Sequence, residues 1–149
     1  MGDEMDTARG RARDAQRRAE QFRRVRDAHQ TEVAEDYVEL VADLIEETGE
    51  ARVVDLSERL GVTKATVNNT IQRLQRDGLV TSQPYRSIFL TEKGRTLAET
   101  SRERHHTVRD FLLALGVDAD TAEADSEGIE HHVSEPTLEA FRKFLRKSG

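Results

Sequence analysis

Three observations predict a mostly α protein interrupted by one short β-hairpin. Apolar residues recur at helical spacing through most of the chain after residue 31. Four such stretches open at Thr63, Thr91, Asp118 or Ser134, and several close at a Gly, which are the residues that cap helix ends. Two short β-prone runs, Leu79-Val80-Thr81-Ser82 and Ser87-Ile88-Phe89-Leu90, flank the turn Gln83-Pro84-Tyr85-Arg86. The order is helix, tight turn, helix, hairpin and then only helices. It predicts a winged helix-turn-helix domain followed by an all-helical domain.

Residues 1–30 are rich in Arg, Ala and Gln and carry almost no apolar periodicity. Met1 to about Ala12 is expected to be disordered, and Asp14 to His29 to form a frayed helical arm. Residues 32–48 make the first strong helix, with Val33, Tyr37, Leu40, Val41, Leu44 and Ile45 as its apolar stripe and Gly49 as its stop. Residues 53–60 form a short helix, and Gly61-Val62 is a turn. Thr63 caps the next helix, which runs to about Asp77 with Val67, Ile71 and Leu74 inward. After the hairpin, Thr91 caps a long helix over roughly 92–115. Its buried side is expected to hold Leu97, Ala98, His105, Val108, Phe111, Leu112 and Leu115. Asp118 caps a helix over roughly 119–132, and Ser134 with Glu135-Pro136 opens the last, to about Lys147. The expected organisation is an arm at 1–30, a winged head at 31–91 and a helical body at 92–149.

The chain has 149 residues, 35% charged and 36% hydrophobic, so its core is small and leans on dimerisation. No uncharged apolar run is long enough to span a membrane, and the N-terminal stretch lacks the apolar centre of a secretory leader. With no cysteine, disulfides and thiolate metal sites are excluded. Cytoplasm is the expected location. The net charge of −6 is unevenly spread. Residues 31–50 hold eight acidic and no basic residues, whereas residues 51–91 hold six basic and three acidic. This division suits a chain whose middle meets phosphates and whose first strong helix meets cations.

The helix after Thr63 presents Lys64, Ala65, Asn68, Asn69 and Gln72 outward. A helix fits the major groove of DNA, and amide side chains pair bidentately with adenine there. Thr63, Ala65 and Thr66 are small enough for close approach, and Lys64, Arg73 and Arg86 are candidates for phosphate, Arg86 from the wing tip. Winged helices also serve as protein-interaction modules, but the basic local charge and the amide-rich face favour double-stranded DNA.

Two acidic constellations stand outside this module. Asp36 and Glu39 are three apart on the first strong helix. Glu127, Glu130 and His131 have i, i+3, i+4 spacing, which places them on one face if that segment is helical. Acidic residues beside an apolar stripe are ordinarily solvated. Carboxylates with imidazole on one face also match helical di-metal sites and suit a fairly hard divalent ion. A lone His105 on a buried side is ordinarily a satisfied core residue.

The segments Glu35-Asp36-Tyr37-Val38-Glu39, Arg76-Asp77-Gly78-Leu79-Val80, Leu90-Thr91-Glu92-Lys93-Gly94, Arg104-His105, Phe111-Leu112, Leu115-Gly116-Val117 and Glu127 to Ser134 follow one another in a specific order. In this the chain resembles the diphtheria-toxin-repressor family of metal-dependent transcription regulators, over about Glu35 to Lys147. The resemblance implies a homodimer on a palindromic operator. It also implies a ligand set of Asp36, Glu39, His105, Glu127, Glu130 and His131, as in the manganese-responsive branch. The iron-responsive branch uses methionine and cysteine ligands, which these positions lack, and commonly carries an extra SH3-like domain for which this chain is too short. The cofactor implied is one or two Mn(II) ions per subunit, with other divalent metals able to substitute. The function implied is metal-gated repression of manganese uptake genes. The expected mechanism is that clustered carboxylates repel until a cation links head and body. The alternatives are an iron-responsive repressor, a metal-independent winged-helix regulator and a di-metal enzyme, although no second Glu-x-x-His is present for the last. His106 and His132 adjoin candidate ligands but are turned about 100° away on a helix.

Overall fold

The computed structural model describes residues 2–84 and 86–148, so Met1, Tyr85 and Gly149 lie outside the described residues. Six helices and one hairpin follow in order: α1 (Gly2–Thr48), α2 (Val53–Leu60), α3 (Lys64–Arg76), β1 (Val80–Thr81), β2 (Phe89–Leu90), α4 (Glu92–Ala114), α5 (Ala119–Ile129) and α6 (Glu135–Ser148). The chain divides into two compact units, one up to Glu32 and one from Val33 onward. No helix among the described residues is long and apolar enough to cross a membrane.

The first unit is helical from Gly2, which corrects the expected disorder up to about Ala12. Absent apolar periodicity says only that a helix buries no face. Ala, Arg, Gln and Glu nonetheless have high intrinsic helix propensity. Asp3 and Glu4 in the first turn also complement the helix dipole.

In the second unit the later part of α1 supplies Val38, Val41 and Leu44 to a core shared with Leu56 of α2 and Val67, Ile71 and Leu74 of α3. The hairpin closes this core with Val80 and Ile88, both fully buried. The α3 helix begins as expected, with the Thr63 side chain accepting from Thr66 N. The strands are shorter than expected, with Val80 opposite Leu90 and Thr81 opposite Phe89 in antiparallel register. The missing residues are bonded elsewhere. Leu79 N donates to Leu74 O at the end of α3, and Ile88 N donates to Ala51 O.

The start of α4 is fastened to the end of α3. Thr91 N donates to Leu79 O at 3.0 Å, and its hydroxyl donates to Gly78 O at 2.6 Å while accepting from Gly94 N. Lys93 Nζ donates to Asp77 O. A Cβ on Gly94 would lie 2.0 Å from Leu79 O, so only glycine permits this approach.

Beyond the joint, Val108, Ala122 and Leu138 are buried where α4, α5 and α6 meet. Phe111 stacks on Phe141 at 3.9 Å between ring centres and meets Phe144 edge-on at 5.4 Å. Leu115, expected on the buried side of the long helix, is 57% exposed. It falls at the C-cap, past the last residue of α4. Leu113, Ile129 and Phe144 are also exposed.

Candidate metal centre and nucleic-acid face

The metal-ligating candidates come from three places. Asp36 and Glu39 lie on α1, His105 on α4, and Glu130 and His131 just past α5. The expected helix over 119–132 ends at Ile129, with Glu130 as its C-cap. Glu130 and His131 therefore sit in a turn, which frees both side chains to point back toward α1 and α4.

Glu130 is the centre of the cluster. It is 3% exposed, and its Oε1 lies 3.4 Å from His105 Nδ1 and 3.6 Å from His131 Nε2. Its Oε2 is buried with no hydrogen-bond partner. Burial, then the charges of Glu39, Asp36 and Glu35, push the Glu130 carboxyl up to about 8, although His131 opposes this. The His131 side chain is 2% exposed, and its Nε2 is 3.0 Å from Asp36 Oδ1. Burial alone would lower the His131 imidazolium, but hydrogen bonds to Asp36 and Glu35 carry it up to about 10. Glu39 is raised, chiefly by burial, and accepts a hydrogen bond from the Ser101 hydroxyl.

Five of the six expected ligands thus gather: Asp36, Glu39, His105, Glu130 and His131. Glu127 is exposed and makes no hydrogen bond or ion pair among the described residues. The inward positions of α5 and its cap are Ala122, Ser126 and Glu130, each four apart, and Glu127 is not among them. Two carboxylates that the sequence reading missed join the histidines. Glu35, 4% exposed, accepts from His131 Nδ1 at 2.5 Å. Glu123 Oε1 lies 2.7 Å from His105 Nε2. Signals for both were present: Glu35 shares a face with buried Val38, and Glu123 precedes Ser126 and Glu130 at helical spacing. His106 is exposed on α4, as the helix geometry implied, and His132 is exposed in the turn past α5.

A buried, unpartnered carboxylate oxygen is costly unless a cation compensates it. Three oxygen-donor side chains and two imidazoles, with no sulfur, fit a borderline-hard divalent metal such as manganese. The donor set therefore fits the ion that the resemblance implies.

In the second unit, α3 and the wing carry an exposed polar face. Thr63, Lys64, Ala65, Thr66, Asn68, Asn69, Gln72 and Arg86 are all exposed. Arg73 is half-buried, and its buried Nη2 has no hydrogen-bond partner, so it is the least available of the expected phosphate contacts. A groove between α3 and the wing is lined by Lys64, Asn68, Gln72 and Arg86 together with Arg52 and Gln75, which the sequence reading did not select. Gln75 reaches the wing by donating to Ser82 O.

Two domain families match in tandem. Residues 29–88 match the iron dependent repressor N-terminal DNA-binding domain, and residues 91–148 match the iron dependent repressor metal-binding and dimerisation domain. The chain belongs to the diphtheria-toxin-repressor family. It is 55% identical over 130 residues to the transcriptional regulator MntR of Escherichia coli O6:H1, covering 87% of this chain and 84% of that one. It is 41% identical over 100 residues to the HTH-type transcriptional regulator MntR of Bacillus subtilis, covering 67% and 70%. Among solved structures it is similar to a manganese-dependent transcriptional repressor in complex with manganese, with a TM-score of 0.68, 29% identity, and coverage of 75% of this chain and 52% of that one. The manganese regulator SloR is similar too, with a TM-score of 0.66, 28% identity, and coverage of 76% and 53%. The chain spans about half the length of these two solved structures.

Proposed function

We propose that this family member is a Mn(II)-responsive transcriptional regulator in the cytoplasm, a homodimer that binds a palindromic operator when metal is bound and represses manganese uptake genes. The observation that carries this reading is Glu130, buried with one oxygen unpaired among Asp36, Glu39, His105 and His131. These five residues would hold the ion. Glu127 stays in the proposed set on the family resemblance alone. The bound ion supplies positive charge that offsets the clustered carboxylates.

The chain's own residues connect that charge to DNA. Asp36 and Glu39 sit on the helix whose Val38 and Val41 enter the core of the head, whereas Glu130 and His131 follow α5 of the body. Compensating the cluster holds these two segments together and favours one orientation of α3. A few kcal/mol of preference is enough to change operator occupancy greatly. In a symmetric dimer, two such helices about one DNA turn apart match a palindrome. The exposed apolar residues Leu113, Leu115 and Phe144 suit burial against a second copy. We assign residues 31–91 to the head and 92–149 to the body, with 1–30 as an arm, and regard the protein as a regulator without catalytic activity. Zn(II) binds such donors at least as tightly as Mn(II), so coordination number and geometry must set selectivity.

The deciding experiment measures palindromic-operator binding in chelator and then titrates Mn²⁺, with Asp36→Ala alongside. Tight binding only with Mn²⁺, weakened in the variant, is the expected result. Equal binding in chelator would leave a metal-independent winged-helix regulator.

A further inference from the structure

We propose that Glu35 and Glu123 are positioning residues that fix the two site histidines in opposite tautomers, so that His131 presents Nε2 and His105 presents Nδ1 to the metal. This rests on reading the cluster as a metal site and adds to it two residues that do not ligate.

The two histidines are held alike. His131 has Nδ1 on Glu35 at 2.5 Å, and its Nε2 faces Glu130 Oε1 at 3.6 Å. His105 has the reverse orientation: Nε2 is on Glu123 at 2.7 Å, and Nδ1 faces the same Glu130 oxygen at 3.4 Å. A carboxylate on one ring nitrogen keeps the proton there and leaves the other nitrogen's lone pair for an ion.

Each bracing carboxylate is in turn near an arginine. Arg104 Nη1 lies 3.9 Å from Glu35 Oε1, and Arg109 Nη1 lies 3.8 Å from Glu123 Oε2. Each carboxylate thus has one oxygen on a histidine and the other toward a guanidinium, which opposes its acting as a ligand. Arg104 does more, because its Nη2 donates to Val133 O at 3.2 Å. One guanidinium therefore braces both Glu35 and the turn that carries His131. Neighbouring positions also divide the work. The Glu35 side chain is 5% exposed and holds the inner nitrogen, whereas the Asp36 side chain, 47% exposed, meets the outer one.

The test loads the full-length protein with ¹¹³Cd²⁺ and records long-range ¹H–¹⁵N correlations and ¹¹³Cd–¹⁵N couplings of the histidine rings. Calorimetric Mn²⁺ titrations of Glu35→Ala, Glu35→Gln and Asp36→Ala accompany it. The expected wild-type pattern is cadmium coupled to Nε2 of His131 and to Nδ1 of His105. Glu35→Ala should weaken Mn²⁺ binding by about 10–100-fold and mix the His131 tautomers. Glu35→Gln, which keeps an acceptor oxygen, should retain the tautomer and lose less affinity. Cadmium coupled to His131 Nδ1 or His105 Nε2 in the wild type would overturn the proposal without any variant. So would unchanged affinity and tautomer in Glu35→Ala while Asp36→Ala loses Mn²⁺ binding. Unchanged Mn²⁺ binding in Asp36→Ala and Glu35→Ala alike would instead remove the metal site itself.

Discussion

In the winged head, Leu56, Val67 and Leu74 are fully buried among apolar neighbours, and α3 opens on its own Thr63 cap. In the carboxylate cluster, Glu35 and Glu130 are almost as deeply buried, yet one Glu130 oxygen has no partner and two carboxyls are pushed upward. The head is at its best as it stands. The cluster gathers carboxyls that raise one another, a cost that a bound cation would lower. The two regions thus differ in what is buried together: apolar side chains in the head, and carboxyls that raise one another around Glu130 in the cluster.

Three variants would break or sharpen this contrast. The largest effect is expected for Glu130→Gln, which should weaken Mn²⁺ binding by roughly three orders of magnitude, or about 4 kcal/mol. It should also change the pH dependence. In the wild type, Glu130 titrates near 8, above its ordinary 4.5, and His131 near 10, above its ordinary 6.5. Both raised values mean that the folded metal-free protein binds protons more tightly than the unfolded chain. The contribution of Glu130 is full below about 4.5 and is lost as pH rises through about 8; that of His131 is full below about 6.5 and is lost through about 10. Thermal midpoints in chelator should therefore fall from pH 7 to pH 10, and less steeply in Glu130→Gln. A variant with wild-type Mn²⁺ affinity would show that the buried carboxylate is not a ligand.

Leu74→Ala comes next, because it opens a cavity in the head. It should cost about 3 kcal/mol in urea unfolding and leave Mn²⁺ affinity nearly unchanged once the protein is folded. An equal loss in both would mean that the two regions do not separate as described. Thr63→Ala has the smallest effect. Losing the cap should cost about 1 kcal/mol of stability. A wild-type midpoint would mean that Thr63 matters only for DNA.

Much of the head was legible in the sequence, because apolar spacing, caps and turns are local signals. Val53–Leu60 and the Thr63 and Thr91 caps follow from such signals. Within the arm, the helix expected from Asp14 to His29 is present, and only the stretch up to about Ala12, expected to be disordered, is helical against expectation. The ligand candidates were legible as residue types, whereas their arrangement depends on α5 ending at Ile129. A helix continued through His132 would have shared one face among Glu127, Glu130 and His131. Instead Glu127 is exposed on α5, while Glu123 and Glu35 meet the histidines, pairings up to 96 residues apart that no local spacing encodes.

The fastening at Thr91 and Gly94 also bears on transplantation. A chimera that grafted this reading head onto another body could not be cut at Leu90 or Thr91, where the hairpin ends and a linker would be sought. The Gly78, Leu79, Thr91 and Gly94 backbones and the Lys93 ammonium interlock across that cut. The stretch from Asp77 to Gly94 must travel as one piece. Inserting even one residue after Thr91 would displace Gly94 and bring a side chain against the Leu79 carbonyl. The two halves of this regulator are therefore exchangeable between relatives only with their shared joint attached.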